Sequence, residues 1–416
     1  MKPQKARPLF PIMLTVFLDL LGLGIVIPIA APLLLTPGEG MLPPDYGTGA
    51  RAIVLGFLLG IYSLAQFFGA PVLGALADRH GRRKILLLSL AGTAAGYLLF
   101  AEGIARQDIL LCFFSRLLDG FTGGNISIAY AAIADITDEE NRAKNFGLIG
   151  MSFGLGFILG PFIGGVLANP AIISWFNLAT PYWFAAGLGV VNMFVLILFF
   201  PETLQQRKTR KVSLLTGMRN IRNAFAQKRL RAIFLTVFLV TFGFDFFTQF
   251  FQVFLIGKFS FSPTDIANLF GYIGLWLVLT QGLFMRPLNK RFSSESIVAW
   301  TILLLAIVFP FLLWPARSWW IYVIVPFIAL FSGITTPNLT AIISMQVPSE
   351  EQGSILGMRQ SMQALAMAGP PIIAGFITGI NINLPILSAA VCTVAGWIVF
   401  VTLFRKPKSP PGAGGY

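Results

Sequence analysis

Gly74-Ala75-Leu76-Ala77-Asp78-Arg79-His80-Gly81-Arg82-Arg83-Lys84 separates two apolar runs, 50–77 and 84–103, each long enough to cross a bilayer. A short turn with this many cations between such runs reads as a cytoplasmic turn of a membrane protein. Its spacing also suggests a latch. Asp78 ends one helix and can accept from free backbone N–H groups at another helix N-terminus, and the run beginning near Ser349 lies on the right side for that. Arg82 can pair with Asp135 at the foot of the fourth run. Gly74, Asp78, Arg79, Gly81, Arg82, Arg83 and Asp135 are therefore candidate gating residues, with a plain topology anchor as the alternative.

The rest of the chain shares this character. Of 416 residues, 56% are hydrophobic and 11% charged, with mean hydropathy +0.78, whereas soluble domains carry about 25% charged residues. Twelve apolar runs of spanning length lie at approximately 9–35, 50–77, 84–103, 108–136, 141–169, 181–200, 230–257, 263–285, 294–314, 318–347, 351–380 and 384–404. The expected fold is an all-α integral membrane protein. The net charge of +13 is segregated: 24 of the 30 lysines and arginines fall in segments assigned to the cytoplasm, among them Lys2, Lys5, Arg7, Arg142 and Lys144. Only Arg51, Arg106, Lys258 and Arg317 fall in outer loops. This asymmetry places both termini inside and argues against a nucleic-acid partner. Cys112 and Cys392 sit in apolar runs and His80 is the one histidine, so no disulfide, metal or other cofactor is expected. No nucleophile–base set and no Walker loop appears, so neither an enzyme nor ATP use is expected. The first apolar run is too long for a cleavable signal.

The basic stretch from Arg207 to Arg231 divides the chain. Expected domains are a six-helix bundle over 1–200, a basic cytoplasmic linker over 201–229, a second six-helix bundle over 230–405 and a disordered tail over 406–416. The linker reads as an amphipathic surface helix drawn to anionic lipid headgroups. Leu14-Thr-Val-Phe-Leu18 recurs as Leu235-Thr-Val-Phe-Leu239, with Gly22 and Gly243 following at the same offset. Gly147, Gly160-Pro161 and Gly165 recur as Gly357, Pro370-Pro371 and Gly375, and Phe121-Thr-Gly123 as Phe331-Ser-Gly333. Parallel repeats of this kind place a substrate site between the halves near the midplane, opened to each side by rocking. The outer loop 36–49, with three prolines, has no evident role.

Charges at bilayer depth read as functional by default. Asp19, Arg116, Asp119, Asp245 and Arg359 fall within runs, all near the middle third at about 1.5 Å of rise per residue. An unpaired carboxylate at that depth tends to take up a proton, and a nearby arginine holds it charged. Asp19 is the expected titrating group, with Arg116 as its partner. Asp119, one turn from Arg116, either neutralises it or shares in proton coupling. Asp245 is a second proton site or a substrate anchor, and Arg359 a pairing or gating cation or a substrate anchor. Asn125, Gln249, Gln252, Gln281, Asn338 and Gln360 are candidate polar cavity groups. Tyr130, Phe247, Phe251, Tyr272 and Trp276 are candidate aromatics for a flat or amphipathic substrate. Gly156, Gly160, Pro161, Gly164 and Gly165 allow close packing and a bend in the fifth helix.

The Gly74–Lys84 turn resembles the loop signature of the major facilitator superfamily. Phe17-Leu-Asp19-Leu-Leu-Gly22-Leu-Gly24-Ile-Val-Ile-Pro28, Arg116-Leu-Leu-Asp119-Gly120-Phe-Thr-Gly-Gly124 and Ala134-Asp135-Ile-Thr-Asp138 before Arg142 are similar to its tetracycline-type drug–proton antiporters. Gly156-Phe-Ile-Leu-Gly160-Pro161-Phe-Ile-Gly164-Gly165 resembles the motif that marks exporters there. The resemblance is strong in the first half and extends to the second at fold level. It implies twelve helices in two six-helix bundles and proton-coupled export. The chain differs in lacking an acid in the middle of the third helix. In the second copy of the turn, Arg286-Pro-Leu-Asn-Lys290-Arg291-Phe-Ser293, Lys290 stands for Asp78 and Ser293 for Gly81. The resemblance thus stops short of naming tetracycline as cargo.

Residues and resemblance together predict a multi-pass plasma-membrane protein, of a bacterial inner membrane, that acts as a monomer with protons, membrane lipids and a small-molecule or lipid-like substrate as partners. The expected function is proton-coupled antiport of an amphipathic organic compound. A lipid or glycolipid flippase, or a sugar or metabolite carrier on the same fold, is the alternative.

Overall fold

A backbone in hydrocarbon must satisfy its own hydrogen bonds, and among the described residues every regular element is helical. The computed structural model describes residues 9–35, 41–137, 152, 155–156, 159–204, 213–226, 228–346 and 352–404. Most of the fifth run lies outside them, as do Lys2, Lys5, Arg7, Asp138, Arg142, Lys144, Gly147, Arg207, Ser349 and the tail 406–416. The first half holds α1 (Leu9–Leu35), α2 (Thr48–His80), α3 (Arg82–Ala105), α4 (Ile109–Thr122), α5 (Ile126–Ile136), α6 (159–167) and α7 (Thr180–Phe199). After the linker helix α8 (Thr216–Ala226) come α9 (Lys228–Phe259), α10 (Pro263–Leu279), α11 (Met285–Arg291), α12 (Ser294–Phe311), α13 (Trp319–Met345), α14 (Gln352–Ile380) and α15 (Leu384–Leu403). Among the described residues nine helical spans are long and apolar enough to cross a membrane.

Two spans depart from the regular helices expected. The run 108–136 is divided by a 3-10 turn at Gly123–Asn125. There α2 approaches to backbone contact: a Cβ on Gly124 would lie 2.4 Å from Ala70 Cα, and one on Gly120 would lie 2.3 Å from the Tyr62 carbonyl oxygen. Paired glycines permit that approach and weaken the α-helix there. Between α10 and α11, Thr280–Phe284 forms a π-helical turn, a distortion found mostly at functional sites.

Neighbour relations repeat along the chain. Helix α1 packs on α7 as α9 packs on α15; α3 packs on α4 and α7 as α12 packs on α13 and α15. The two sets meet on the face opposite the Gly81 turn. Along α2 and α14, a Cβ on Gly49, Gly56 or Gly60 would meet Gly379, Pro371 or Ile372. A Cβ on Gly165 of α6 would lie 1.9 Å from that of Ala267 of α10, and Asn169 donates to Thr264 at 3.1 Å. That face is closed by backbone-to-backbone packing. On the basic face, α8 is seated among α2, α9 and α14. Gly217 rests on Phe67, Ala224 is buried, and Asn220 Nδ2 donates to Ser361 Oγ at 3.2 Å. Met218, Arg219 and Arg222 face outward. The linker helix is therefore a packed element as well as an amphipathic one.

The 36–49 loop also acquires a physical account. Arg51, counted above among the outer-loop cations, is buried at the start of α2. It donates to the carbonyls of Leu34, Pro43 and Tyr46, each at 2.9 Å. One guanidinium thus ties the end of α1 to the Pro-rich loop.

Gly81 is the one described glycine with positive φ, +105°. It lets α2 turn directly into α3, and its Cα faces Glu202 so closely that a Cβ would lie 2.3 Å from Oε2. Gly81→Ala is expected to cost about 1–3 kcal/mol from the strained φ alone. A thermal unfolding comparison in detergent checks this, and an unchanged midpoint would contradict it.

Candidate functional site

The charged centre of the first half is assembled from five helices, α1, α2, α3, α4 and α7. Arg116 and Asp119 stand one turn apart on α4, so their side chains share a face. Both are buried, with Nη2 3.1 Å from Oδ2. Gly96 lets α3 close onto this pair, since a Cβ there would lie 2.8 Å from that of Asp119. Three rings surround the guanidinium carbon: Phe100 at 4.8 Å, Tyr62 at 5.6 Å and Tyr182 at 5.8 Å. Phe100 and Tyr182 stack at 4.2 Å. An aromatic face attracts a desolvated cation, so the arginine is held by one carboxylate and a cage of rings. Its Nε and Nη2 form no aligned hydrogen bond, nor does Asp119 Oδ2.

Asp19 enters from α1 and is half-buried. Its polar neighbour is Asn125 of the 3-10 turn, whose Nδ2 has no hydrogen-bond partner, and its charged neighbour is Asp119. Gly22 makes room one turn on: a Cβ there would lie 2.9 Å from the Tyr97 hydroxyl. The arginine expected to pair with Asp19 is thus occupied by Asp119. Packing of α3 against α4 orients Arg116 along its own helix, and Asp19 is left beside a second acid and an amide. The centre holds two carboxyls and one cation.

In the second half, Asp245 of α9 is buried beside Phe246 and Phe247. Thr248 Oγ1 and Gln249 Nε2 each donate to Oδ1 at 3.4 Å, and Oδ2 has no partner. Among the described residues no cation pairs with it. Gln249 is committed to this acid, while Gln252 donates to the Gln249 carbonyl at 3.3 Å and leaves Oε1 unbonded.

Other expected site residues are dispersed. The Phe247 and Phe251 rings lie 4.6 Å apart in a tilted contact and pack on Phe309 and Phe270. Both are fully buried and belong to the second-half core, because their face of α9 meets α10 and α12. Tyr272 lies 6.4 Å from Trp276 and 5.7 Å from Tyr322, all half-buried. Gln281 sits in the π-turn beside buried, unbonded Thr280. Asn338 donates to the Ile334 carbonyl at 2.9 Å and leaves Oδ1 free. Half-buried Tyr130 of α5 and Arg359 of α14 face each other, and Gln360 follows on α14. Gly156, Gly160 and Gly164 set the fifth helix directly on α1: their Cβ positions fall within 3 Å of Leu20, Gly24 and Ile25. Their visible role is this close approach.

On the basic face, Arg82 pairs with Asp78 and, through Nε, with Asp135 at 3.2 Å. Glu202 accepts from the backbone N–H of Arg82 at 2.9 Å and of Arg83 at 3.2 Å, capping α3. The Arg82–Asp135 contact is present as the spacing suggested. These partners all precede residue 203, so the network braces the first half; the contact expected near Ser349 lies outside the described residues. Gly74 faces Ser127 across an ordinary gap, and Arg79 ends α2 in solvent. Arg83 Nη2 donates to the Ile197 carbonyl. The sequence reading missed Tyr62, Tyr97, Phe100, Tyr182 and Glu202. Glu202, the one acid in a basic stretch, carried a signal; the rings carried none beyond the glycines opposite them.

A family model described as Major Facilitator Superfamily matches residues 12–368 and 233–415. The tetracycline resistance protein, class C, of Escherichia coli is 29% identical over 392 residues, covering 94% of this chain and 92% of that protein. The quinolone resistance protein NorA of Staphylococcus aureus is 27% identical over 407 residues, covering 96% and 97%. The human organic anion transporter MFSD10 superposes with a TM-score of 0.75 at 24% identity, over 96% of this chain and 100% of that one. The POT family transporter PepTSo superposes at 0.71 and 12% identity, over 96% and 98%. The last two likenesses speak to the fold.

Proposed function

Because this chain belongs to the Major Facilitator Superfamily and is a multi-pass plasma-membrane transporter, we propose that it exports an amphipathic organic compound in exchange for protons. The cargo crosses chemically unaltered. The supporting observation is that two acids, Asp19 and Asp119, share a buried centre with one cation, Arg116, which Asp119 already occupies. An uncompensated carboxylate at bilayer depth is costly, so Asp19 takes a proton when the crevice is dry and releases it when water or a cargo group reaches it. Asp245, with one oxygen unbonded, is the second-half counterpart.

Positive charge on the Gly81 face supports placing that face in the cytoplasm. The seal of α2 on α14 and of α6 on α10 then closes the outer side, and rocking of 1–200 against 230–405 about the linker 201–229 reopens it. The names of the tetracycline and quinolone resistance relatives support a drug-like cargo. The test uses proteoliposomes with an acidic lumen and a fluorescent fluoroquinolone or tetracycline outside. Cargo is expected to accumulate while the lumen becomes less acidic. Accumulation indifferent to the imposed gradient would overturn proton coupling.

A further inference from the structure

Arg359 is left over from that scheme. It lies seven residues into α14, and Tyr130 lies six residues before the end of α5. At about 1.5 Å per residue both sit roughly 10 Å from the basic face, where α5 and α14 meet across the two halves. Arg359 is half-buried, and its Nε is sealed from solvent without a hydrogen bond. Among the described residues it pairs with no carboxylate; its electrostatic neighbour is Tyr130. The other intramembrane charges among the described residues lie beside a polar or charged group: Arg116 beside Asp119, Asp19 near Asn125 and Asp245 beside Gln249. A half-buried guanidinium with its Nε unbonded is a fork for an oxyanion. Helix α8 borders the same region, with Asn220 bonded to Ser361 two residues along α14.

We propose that Arg359, facing Tyr130 across the junction of the halves, is the anion-binding subsite for the cargo, which therefore carries a carboxylate or similar oxyanion on an apolar body. This rests on the transport reading and narrows it to organic acids and zwitterions. An anion bridging the halves at Arg359 neutralises a cation that pairs with no carboxylate among the described residues. Cargo binding thereby favours the arrangement in which α5 and α14 stay together.

The test is equilibrium binding in nanodiscs of zwitterionic lipid, read by tryptophan fluorescence, so it needs no proton gradient. The probes share one ring system: 2-naphthoate, 2-naphthamide and 2-naphthylmethylammonium. Naphthoate is expected to bind about tenfold or more tighter than the amide, as for a charge-assisted hydrogen bond. Arg359→Gln is expected to erase that preference and Arg359→Lys to keep most of it, with equal monodispersity as the folding control. A preference for the ammonium probe, or for naphthoate undiminished in Arg359→Gln, would overturn the subsite. Loss of naphthoate binding on adding phosphatidylglycerol would overturn the soluble-cargo assignment in favour of a lipid headgroup. Anion binding that depends on Arg359 but without gradient-driven transport would leave the subsite standing and remove the antiport reading alone.

Discussion

Asp19→Asn is expected to abolish gradient-driven accumulation while leaving downhill exchange of cargo across the membrane. The substitution preserves the shape of the side chain beside Asn125, but an amide carries no exchangeable charge. A gradient of one pH unit is worth about 1.4 kcal/mol per proton, a roughly tenfold concentration ratio for one-to-one exchange. The native protein is expected to approach that ratio and Asp19→Asn to fall to about one-to-one. Stability is expected to hold or improve, because the change removes one of two acids around a single arginine. Asp119→Asn differs in kind, since it strips Arg116 of its only ion-pair partner among the described residues. Fluorescence of a lumenal pH dye, recorded with cargo uptake, distinguishes uncoupled exchange from a dead protein. Full accumulation by Asp19→Asn would move the coupling role elsewhere, with Asp245 the next acid to replace.

Much of the fold was legible because lipid imposes one rule on every span: roughly twenty apolar residues closed by their own hydrogen bonds. The turn at Gly81 was legible because Asp78, Arg82 and Asp135 are short-range or helix-end partners whose spacing constrains them. The partner of Asp19 was not. Which acid reaches Arg116 depends on how α2, α3 and α4 are set against one another, and that is fixed by Gly96 closing onto Asp119 and by Gly120 and Gly124 meeting the α2 backbone at Tyr62 and Ala70, contacts far apart in sequence. Phe247 and Phe251 were misplaced for a related reason. In a membrane protein the lipid-facing, cavity-facing and core-facing sides of a helix are all apolar, so periodicity does not separate them. Arg51 shows the limit of counting charges by loop: it contributes to the topology pattern while its side chain serves three carbonyls inside the protein.

The second large effect concerns Arg116 itself. Arg116→Met leaves Asp119, 1% exposed, without its counter-ion at bilayer depth, and removing one member of a buried pair costs about 3–5 kcal/mol. Asp119→Asn leaves the cation instead, but Phe100, Tyr62 and Tyr182 still surround it, and such faces return about 0.5–2 kcal/mol to a desolvated guanidinium. At alkaline pH, where protonating the stranded carboxyl is itself costly, the two single changes are therefore expected to be unequal, with Arg116→Met the worse by midpoint of thermal or denaturant unfolding in a mild detergent. The double variant Arg116→Met with Asp119→Leu removes both charges and keeps the volume. It is expected to recover most of the lost stability, since an apolar pair at such a site often matches or exceeds an ion pair. Transport is expected to stay lost in that stable double variant. Asp19 would then face no charged neighbour against which its proton could be exchanged. Equal damage from both single variants would mean that the rings do not hold the cation. A double variant that transports against a gradient would mean that Arg116 and Asp119 only support the fold.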